Sequence, residues 1–131
     1  MANTTDLSSA QLGQASINVH DVDLAVAFYR DKLGLRFLFQ APPKMAFFDC
    51  GGVRLMLSVA AKPEFDHPSS ILYFKVGDIQ AVARTLEARG VGFEAAPHLV
   101  APMPDHDLWM AFFRDVDGNL LALMSEVPRP A

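Results

Sequence analysis

The sequence lacks several features that would assign the protein to whole classes of function. Cys50 is the single cysteine among 131 residues, so no internal disulfide can form. There is no run of Lys or Arg, and the formal net charge of -4 argues against nucleic-acid binding. Every apolar run is shorter than the ~18 residues that cross a bilayer, and the first residues lack the basic and apolar regions of a secretory signal. These absences favour a cytoplasmic protein that binds neither nucleic acid nor membrane.

What the chain does contain is enough apolar side chain to build a core. Hydrophobic residues make up 51% of the sequence, and at 131 residues one compact unit is the expected size. We therefore expect a single domain over residues 1–131.

An internal repeat divides this domain into two similar halves. Asp21 and Asp78, which are 57 residues apart, each follow an alternating apolar segment typical of a strand. Gly34 and Gly90, 56 residues apart, each end a helical stretch, as glycine does when it takes a left-handed conformation. The aspartates are predicted helix caps. The apolar residues between caps and glycines recur at helical spacing and predict one buried face per helix: Val22, Ala25, Val26, Tyr29 and Leu33, then Ile79, Val82, Ala83 and Leu86.

Strand patterns complete a βαββ unit in each half, with module 1 at about residues 12–60 and module 2 at about residues 69–126. Glycine-containing turns at 51–52 and 117–119 predict hairpins between the last two strands of each module. The predicted strands are residues 35–41, 45–50 and 53–59 in the first half and 91–96, 109–114 and 119–125 in the second. Residues 97–108 are predicted to form a long loop that could act as a lid.

Two segments carry a resemblance to a known family. They read DVDLAVAFYRDKLGL at 21–35 and FFRDVDGNLL at 112–121. These two motifs, in this order, resemble those of the vicinal oxygen chelate superfamily. The superfamily includes glyoxalases, bleomycin-binding proteins, extradiol dioxygenases and fosfomycin-modifying enzymes. The resemblance covers about residues 12–126 and implies an α+β fold in which two tandem βαββ modules form a curved mixed sheet around a cavity. It also implies a homodimer.

The family's enzymes direct metal ligands into the cavity from the first and last strands of the modules. The resemblance places these positions at Gln14, Met56, Ile71 and Ala122. One neutral amide, that of Gln14, is too weak to hold a divalent ion alone. No metal or other cofactor is therefore predicted. The alternative is a divalent metal bound by residues elsewhere, such as His20, His98 or His106.

Because side chains two apart share one face of a strand, the cavity wall can be extended from these four positions. The predicted ligand-binding residues are Gln14, Asn18, Arg54, Met56, Tyr73, Lys75, Trp109 and Ala122. Arg54 and Lys75 on a largely apolar wall favour a small anionic or carbonyl-bearing ligand, because a buried charge needs a partner. Alternatively, Arg54 pairs with a carboxylate or reaches the rim, Lys75 is solvated and Trp109 belongs to the core.

His106 and Asp105 are the predicted catalytic residues, as a general acid or base carried over the cavity by the lid. Alternatively, His106 and Asp105 are solvated loop residues without a catalytic role. The sequence therefore leaves three functions open. They are metal-independent binding of a small organic molecule with or without its conversion, a metal-dependent lyase or dioxygenase of the same superfamily, and a non-catalytic resistance protein that sequesters its ligand.

Overall fold

A computed structural model describes residues 5–41 and 44–129, and their strands form two separate four-stranded sheets. The first sheet has the order β1-β4-β3-β2, with β1 at Gln14–Asn18, β2 at Arg36–Ala41, β3 at Met45–Cys50 and β4 at Val53–Ser58. The second has the order β5-β8-β7-β6, with β5 at Leu72–Lys75, β6 at Phe93–Pro102, β7 at His106–Arg114 and β8 at Leu120–Pro128. The pairs β1–β4 and β5–β8 are parallel, and all other neighbouring strands are antiparallel. The predicted α+β fold of tandem βαββ modules is confirmed.

Both predicted helix caps are present. Helix α1 (Val22–Val26) begins after Asp21, whose carboxylate accepts the Leu24 N–H at 3.1 Å. Helix α2 (Ile79–Ala88) begins after Asp78, whose carboxylate accepts the Ala81 N–H at 3.0 Å. Each bond satisfies a backbone donor that the first turn of a helix leaves free.

The first helical stretch differs from the regular helix that its apolar spacing predicts. After Val26 it continues as a π-helical segment, Ala27–Lys32, in which the Leu33 N–H reaches back to the Phe28 carbonyl. The wider turn buries Phe28 as well as Tyr29. The stretch ends at Gly34, whose φ of 76° is the predicted left-handed conformation.

The prediction that residues 97–108 form a long loop is wrong, because most of this segment belongs to two strands. It forms the second half of β6, a tight turn and the start of β7, and the Met103 N–H bonds the His106 carbonyl at 2.7 Å. Pro97 and Pro102 suggest a break in sequence. However, β6 is an edge strand with several register irregularities, where a residue without an N–H is tolerated.

One hydrophobic core joins the helix-facing sides of both sheets. It includes Ile17, Phe48 and Leu57 from the first module and Phe113 and Leu121 from the second, all at most 1% exposed. The opposite side of each sheet, here called its open face, points away from this core. Within residues 5–41 and 44–129, no helix is long and apolar enough to cross a membrane.

Candidate functional site

The open face of the first sheet carries the predicted polar wall. In the parallel pair of β1 and β4, Gln14 lies opposite Arg54 and Ser16 opposite Met56. Gln14 and Ser16 are exposed, whereas Ile17 is buried in the core. Gln14 and Arg54 therefore share one face, as the two-residue alternation of the strands predicts.

The contacts among these side chains are weak. The Gln14 amide donates to the Met56 sulfur at 3.8 Å, and the Ser16 hydroxyl lies 3.4 Å from the Ser58 hydroxyl. The Arg54 guanidinium lies 5.8 Å from the centroid of the Phe47 ring. It forms no ion pair with any carboxylate of the described chain. These groups retain hydrogen-bonding capacity because a thioether is a poor acceptor.

Asn18 does not present its amide to this face. Its Nδ2 donates to the carbonyls of Phe65 at 2.9 Å and His67 at 2.8 Å, and its backbone N–H donates to the Ser69 hydroxyl. These residues belong to the linker between the modules. Both donors of the Asn18 amide are therefore used structurally, which the sequence could not indicate because the partners lie about 50 residues away.

The open face of the second sheet is more apolar. Tyr73 is 45% exposed, and its ring packs edge-on against the Phe112 ring with 6.3 Å between the two ring centroids. Ala122 pairs with both of these residues in the sheet and is fully buried. Ala122, a predicted ligand-binding residue, therefore offers no accessible surface to a ligand.

A charged group occupies the far end of this second face. The Lys75 ammonium lies 2.8 Å from a Glu126 carboxylate oxygen, so Lys75 is paired and its positive charge is compensated. This hydrogen bond is the main reason that the pKa of Glu126 is lowered. The other Glu126 oxygen lies 3.7 Å from Nε2 of His106.

His106 and Asp105 form a dyad at the tip of the β6–β7 hairpin. A carboxylate oxygen of Asp105 lies 2.6 Å from Nδ1 of His106, and this hydrogen bond is the main reason that the pKa of Asp105 is lowered. Only 20% of the His106 side chain is exposed. A carboxylate on Nδ1 holds the tautomer in which Nε2 can accept a proton. The two residues are thus brought together, on a strand end rather than on a lid.

Trp109 lies on the other side of the second sheet. It packs against the core and lines a pocket with Ile79, Gln80 and Ser125 beside the start of α2. Trp109, a predicted ligand-binding residue, therefore does not share the open face with Tyr73, and its alternative as a core residue agrees with this packing.

A buried polar network that the sequence did not indicate joins the two modules. The Tyr29 hydroxyl donates to Asp115 at 2.7 Å, and Asp115 also accepts from the backbone of Asp117 and from both the backbone and side chain of Asn119. Burial and the nearby Asp115 charge raise the pKa of Tyr29, so the phenol stays a donor. The turn motif at 115–119 is the available signal in the sequence, and by itself it predicts only a hairpin.

The residues present do not fit the divalent metal that the family implies. The Gln14 amide rests on a thioether, Ile71 precedes β5, and Ala122 is buried. His20 lies between two aspartates, His98 bonds the Ala96 carbonyl, and His106 bonds Asp105. Across the part of the chain that the structure describes, no three His, Cys, Asp or Glu side chains are grouped to hold a metal ion.

Solved structures with this fold are numerous. Lactoylglutathione lyase from Agrobacterium tumefaciens is 22% identical, with 88% of this chain and 93% of that chain covered at a TM-score of 0.71. A member of the Glyoxalase/bleomycin resistance protein/dioxygenase superfamily from Sphaerobacter thermophilus is 25% identical, with 89% and 98% covered at a TM-score of 0.69. A glyoxalase/bleomycin resistance protein/dioxygenase from Nocardioides is 21% identical, with 97% and 91% covered at a TM-score of 0.72.

No curated protein matches the sequence. The solved structures show the fold. The family is shown by a family model that matches residues 11–123, which is most of the chain. The chain belongs to the Glyoxalase/Bleomycin resistance protein/Dioxygenase superfamily.

Proposed function

We propose that the protein binds a small anionic or carbonyl-bearing organic molecule on the open face of its first sheet. The observation that carries this proposal is Arg54, an exposed guanidinium stacked on Phe47 with no carboxylate partner among the described residues. Asp49, its cross-strand neighbour, shares the face but makes no ion pair with it. A planar guanidinium presents paired N–H donors that match a carboxylate or phosphate.

The neighbouring side chains support the same ligand chemistry. Gln14 lies opposite Arg54, and the hydroxyls of Ser16 and Ser58 follow further along the same face. The contacts of these groups with Met56 and with one another are weak. They can donate to the remaining oxygens of a bound molecule, while Met56 and Phe47 supply apolar contact. A few polar groups in an apolar surround are typical of small-molecule sites.

We propose that this binding is independent of a metal. The support is the chemistry of Gln14, Met56, Ile71 and Ala122, the residues at the four positions where the family's enzymes place ligands. A substrate that reaches the second face would meet the His106 and Asp105 dyad, whose Nε2 is the candidate proton acceptor. Sequestration and conversion both need the binding face, so turnover is what separates a resistance protein from an enzyme.

We also propose that the protein is a homodimer, as the resemblance implies, and that its two chains pair through their open faces. Large apolar side chains are exposed there, with Phe39 at 48% and Met45 at 39% on the first sheet and Tyr73 at 45% on the second. A partner chain covering them would enclose the binding face and turn an open wall into a cavity.

The cytoplasmic location stays a prediction.

The binding proposal is tested by titrating pyruvate and benzoate, followed by calorimetry or NMR. We expect saturable binding that Arg54→Met weakens by about tenfold or more, because a charge-assisted hydrogen bond contributes about 1.5–3 kcal/mol. Arg54→Lys should retain part of the affinity. Arg84→Met is the matched control, because it removes an exposed charge on α2 far from this face. Wild-type affinity in Arg54→Met, or no binding of either probe, would overturn the proposal.

Metal analysis addresses the alternative function. Stoichiometric metal in protein purified without added ions, lost in His106→Ala, would favour a metal-dependent lyase or dioxygenase. Saturable binding without conversion of any bound probe would favour sequestration.

A further inference from the structure

His20 connects three parts of the molecule at the junction of the modules. It follows β1, and its Nδ1 lies 2.7 Å from Asp117 in the β7–β8 turn of the second module. Its Nε2 lies 3.0 Å from both carboxylate oxygens of Asp66, in the linker between β4 and β5. One imidazole is thus held between two carboxylates that are 46 and 97 residues away from it.

Asp117 depends on this imidazole for its countercharge. Only 10% of its side chain is exposed, and its Oδ2 is buried with no hydrogen-bond partner. Among the described residues no other cation pairs with it, and Asp115, which accepts the Asp117 N–H, adds negative charge nearby. A buried carboxylate without a paired cation is unfavourable, so protonation of His20 stabilises this turn.

The linker is attached by polar contacts more than by packing. Residues 61–68 are all exposed, and a polar pocket of about 240 Å³ lies beneath them, lined by Asn18, His20, Asp66, His67, Pro68, Asp117 and Asn119. Apart from the ion pair, the linker is tied to the first module through Asn18, whose side-chain amide donates to Phe65 and His67 and whose backbone N–H donates to the Ser69 hydroxyl. Few apolar contacts mean that this segment can open without unfolding the core.

We propose that protonated His20 is a pH-dependent latch that fastens the linker, residues 62–69, across the junction of the two modules. The charged and titratable groups around it are Asp66, His67 and Lys62 of the linker and Asp117 and Asp115 of the turn. When the latch opens, Asp66 separates from His20 and the linker uncovers the amide of Asn18 at the end of the first open face.

The direction of the pH dependence follows from the two carboxylates. Hydrogen bonds and charge from Asp66, and then from Asp117, raise the pKa of His20 above its ordinary value of 6.5. A raised pKa in the closed form means that the latch is fully stabilised below pH 6.5 and loses this stabilisation as the pH rises through the raised value. The latch is therefore closed below pH 6.5 and opens as the pH rises above the raised pKa of His20.

The experiment combines an NMR titration of the His20 ring with amide hydrogen exchange of the linker from about pH 5.5 to 9, corrected for the intrinsic exchange rate. We expect a His20 pKa above 6.5. Linker protection should fall by up to about tenfold per pH unit between that ordinary value and the raised one. Asp66→Asn should lower the His20 pKa.

Two histidine variants separate the latch from general effects of pH. His20→Gln should remove the pH dependence of linker protection, whereas His98→Gln, which alters an exposed histidine of β6, should leave it unchanged. A His20 pKa at or below 6.5 in the wild type, or linker protection that does not change with pH, would overturn the proposal even if a variant fails to fold.

Discussion

At the scale of single residues, Tyr29 shows how one side chain can serve both the core and a polar junction. Its ring is fully buried beside Phe28 and Phe48, while its hydroxyl reaches Asp115 in the other module. The helical spacing predicts the buried ring correctly. The hydroxyl partner, 86 residues away, could not be inferred because nothing local to either residue encodes it.

Replacing Tyr29 with Phe tests the strength of this junction. The variant keeps the ring but leaves the Asp115 oxygen without one of its donors, so we expect a loss of about 1–3 kcal/mol in the free energy of unfolding. Urea denaturation measures it. Tyr73→Phe is the matched control, because Tyr73 is 45% exposed, and it should change stability by less than about 0.5 kcal/mol. Equal effects of the two variants would contradict the role of the buried bond.

At the scale of elements, the sequence predicts the helix caps but not the β6–β7 hairpin. A cap depends on an aspartate and a donor three residues later, so sequence is enough to locate it. The hairpin depends on Arg129 near the end of the chain. Its guanidinium donates to the carbonyls of Pro104 and His106 and to the Asp107 carboxylate, which holds the turn closed.

Removing one cap tests how much the second helix depends on it. Asp78→Ala leaves the Ala81 N–H without its acceptor, so we expect a loss of about 0.5–2 kcal/mol in unfolding free energy. Thermal and urea denaturation measure the change. Gln80→Ala, an exposed position in the first turn of the same helix, is the control and should be close to neutral. A stability unchanged by Asp78→Ala would mean that water replaces the cap at no cost.

At the scale of the whole molecule, the two sheets share one core but leave their opposite faces open. Exposed apolar side chains on those faces are more numerous than isolated surface residues would require, with Phe39, Met45 and Tyr73 each at least 39% exposed. Apolar surface of this kind indicates an interaction site. This is the physical support for the homodimer proposed above.

The proposed dimer predicts a particle of twice the 14.3 kDa mass of one chain in sedimentation equilibrium. Phe39→Glu places a charge on the open face and should shift the equilibrium towards monomer. Leu24→Glu provides the control, because Leu24 is 60% exposed on α1 and lies away from both open faces. A wild-type protein that stays monomeric at all accessible concentrations would rule the dimer out.

The sequence by itself determined the repeat, the caps and the alternation that puts Gln14 and Arg54 on one face. These features are encoded within a few residues or by the two-residue period of a strand, so they survive without knowledge of the partner.

Only the tertiary structure decided which predicted site residues remain accessible. Ala122 is covered by the rings of its strand neighbours, the Asn18 amide is used by the linker, and Trp109 faces the core. The contacts of His20 with Asp66 and Asp117 are likewise visible only in the tertiary structure. Each outcome depends on side chains separated by many residues in sequence, and their distances are set by how the two modules pack rather than by any local pattern.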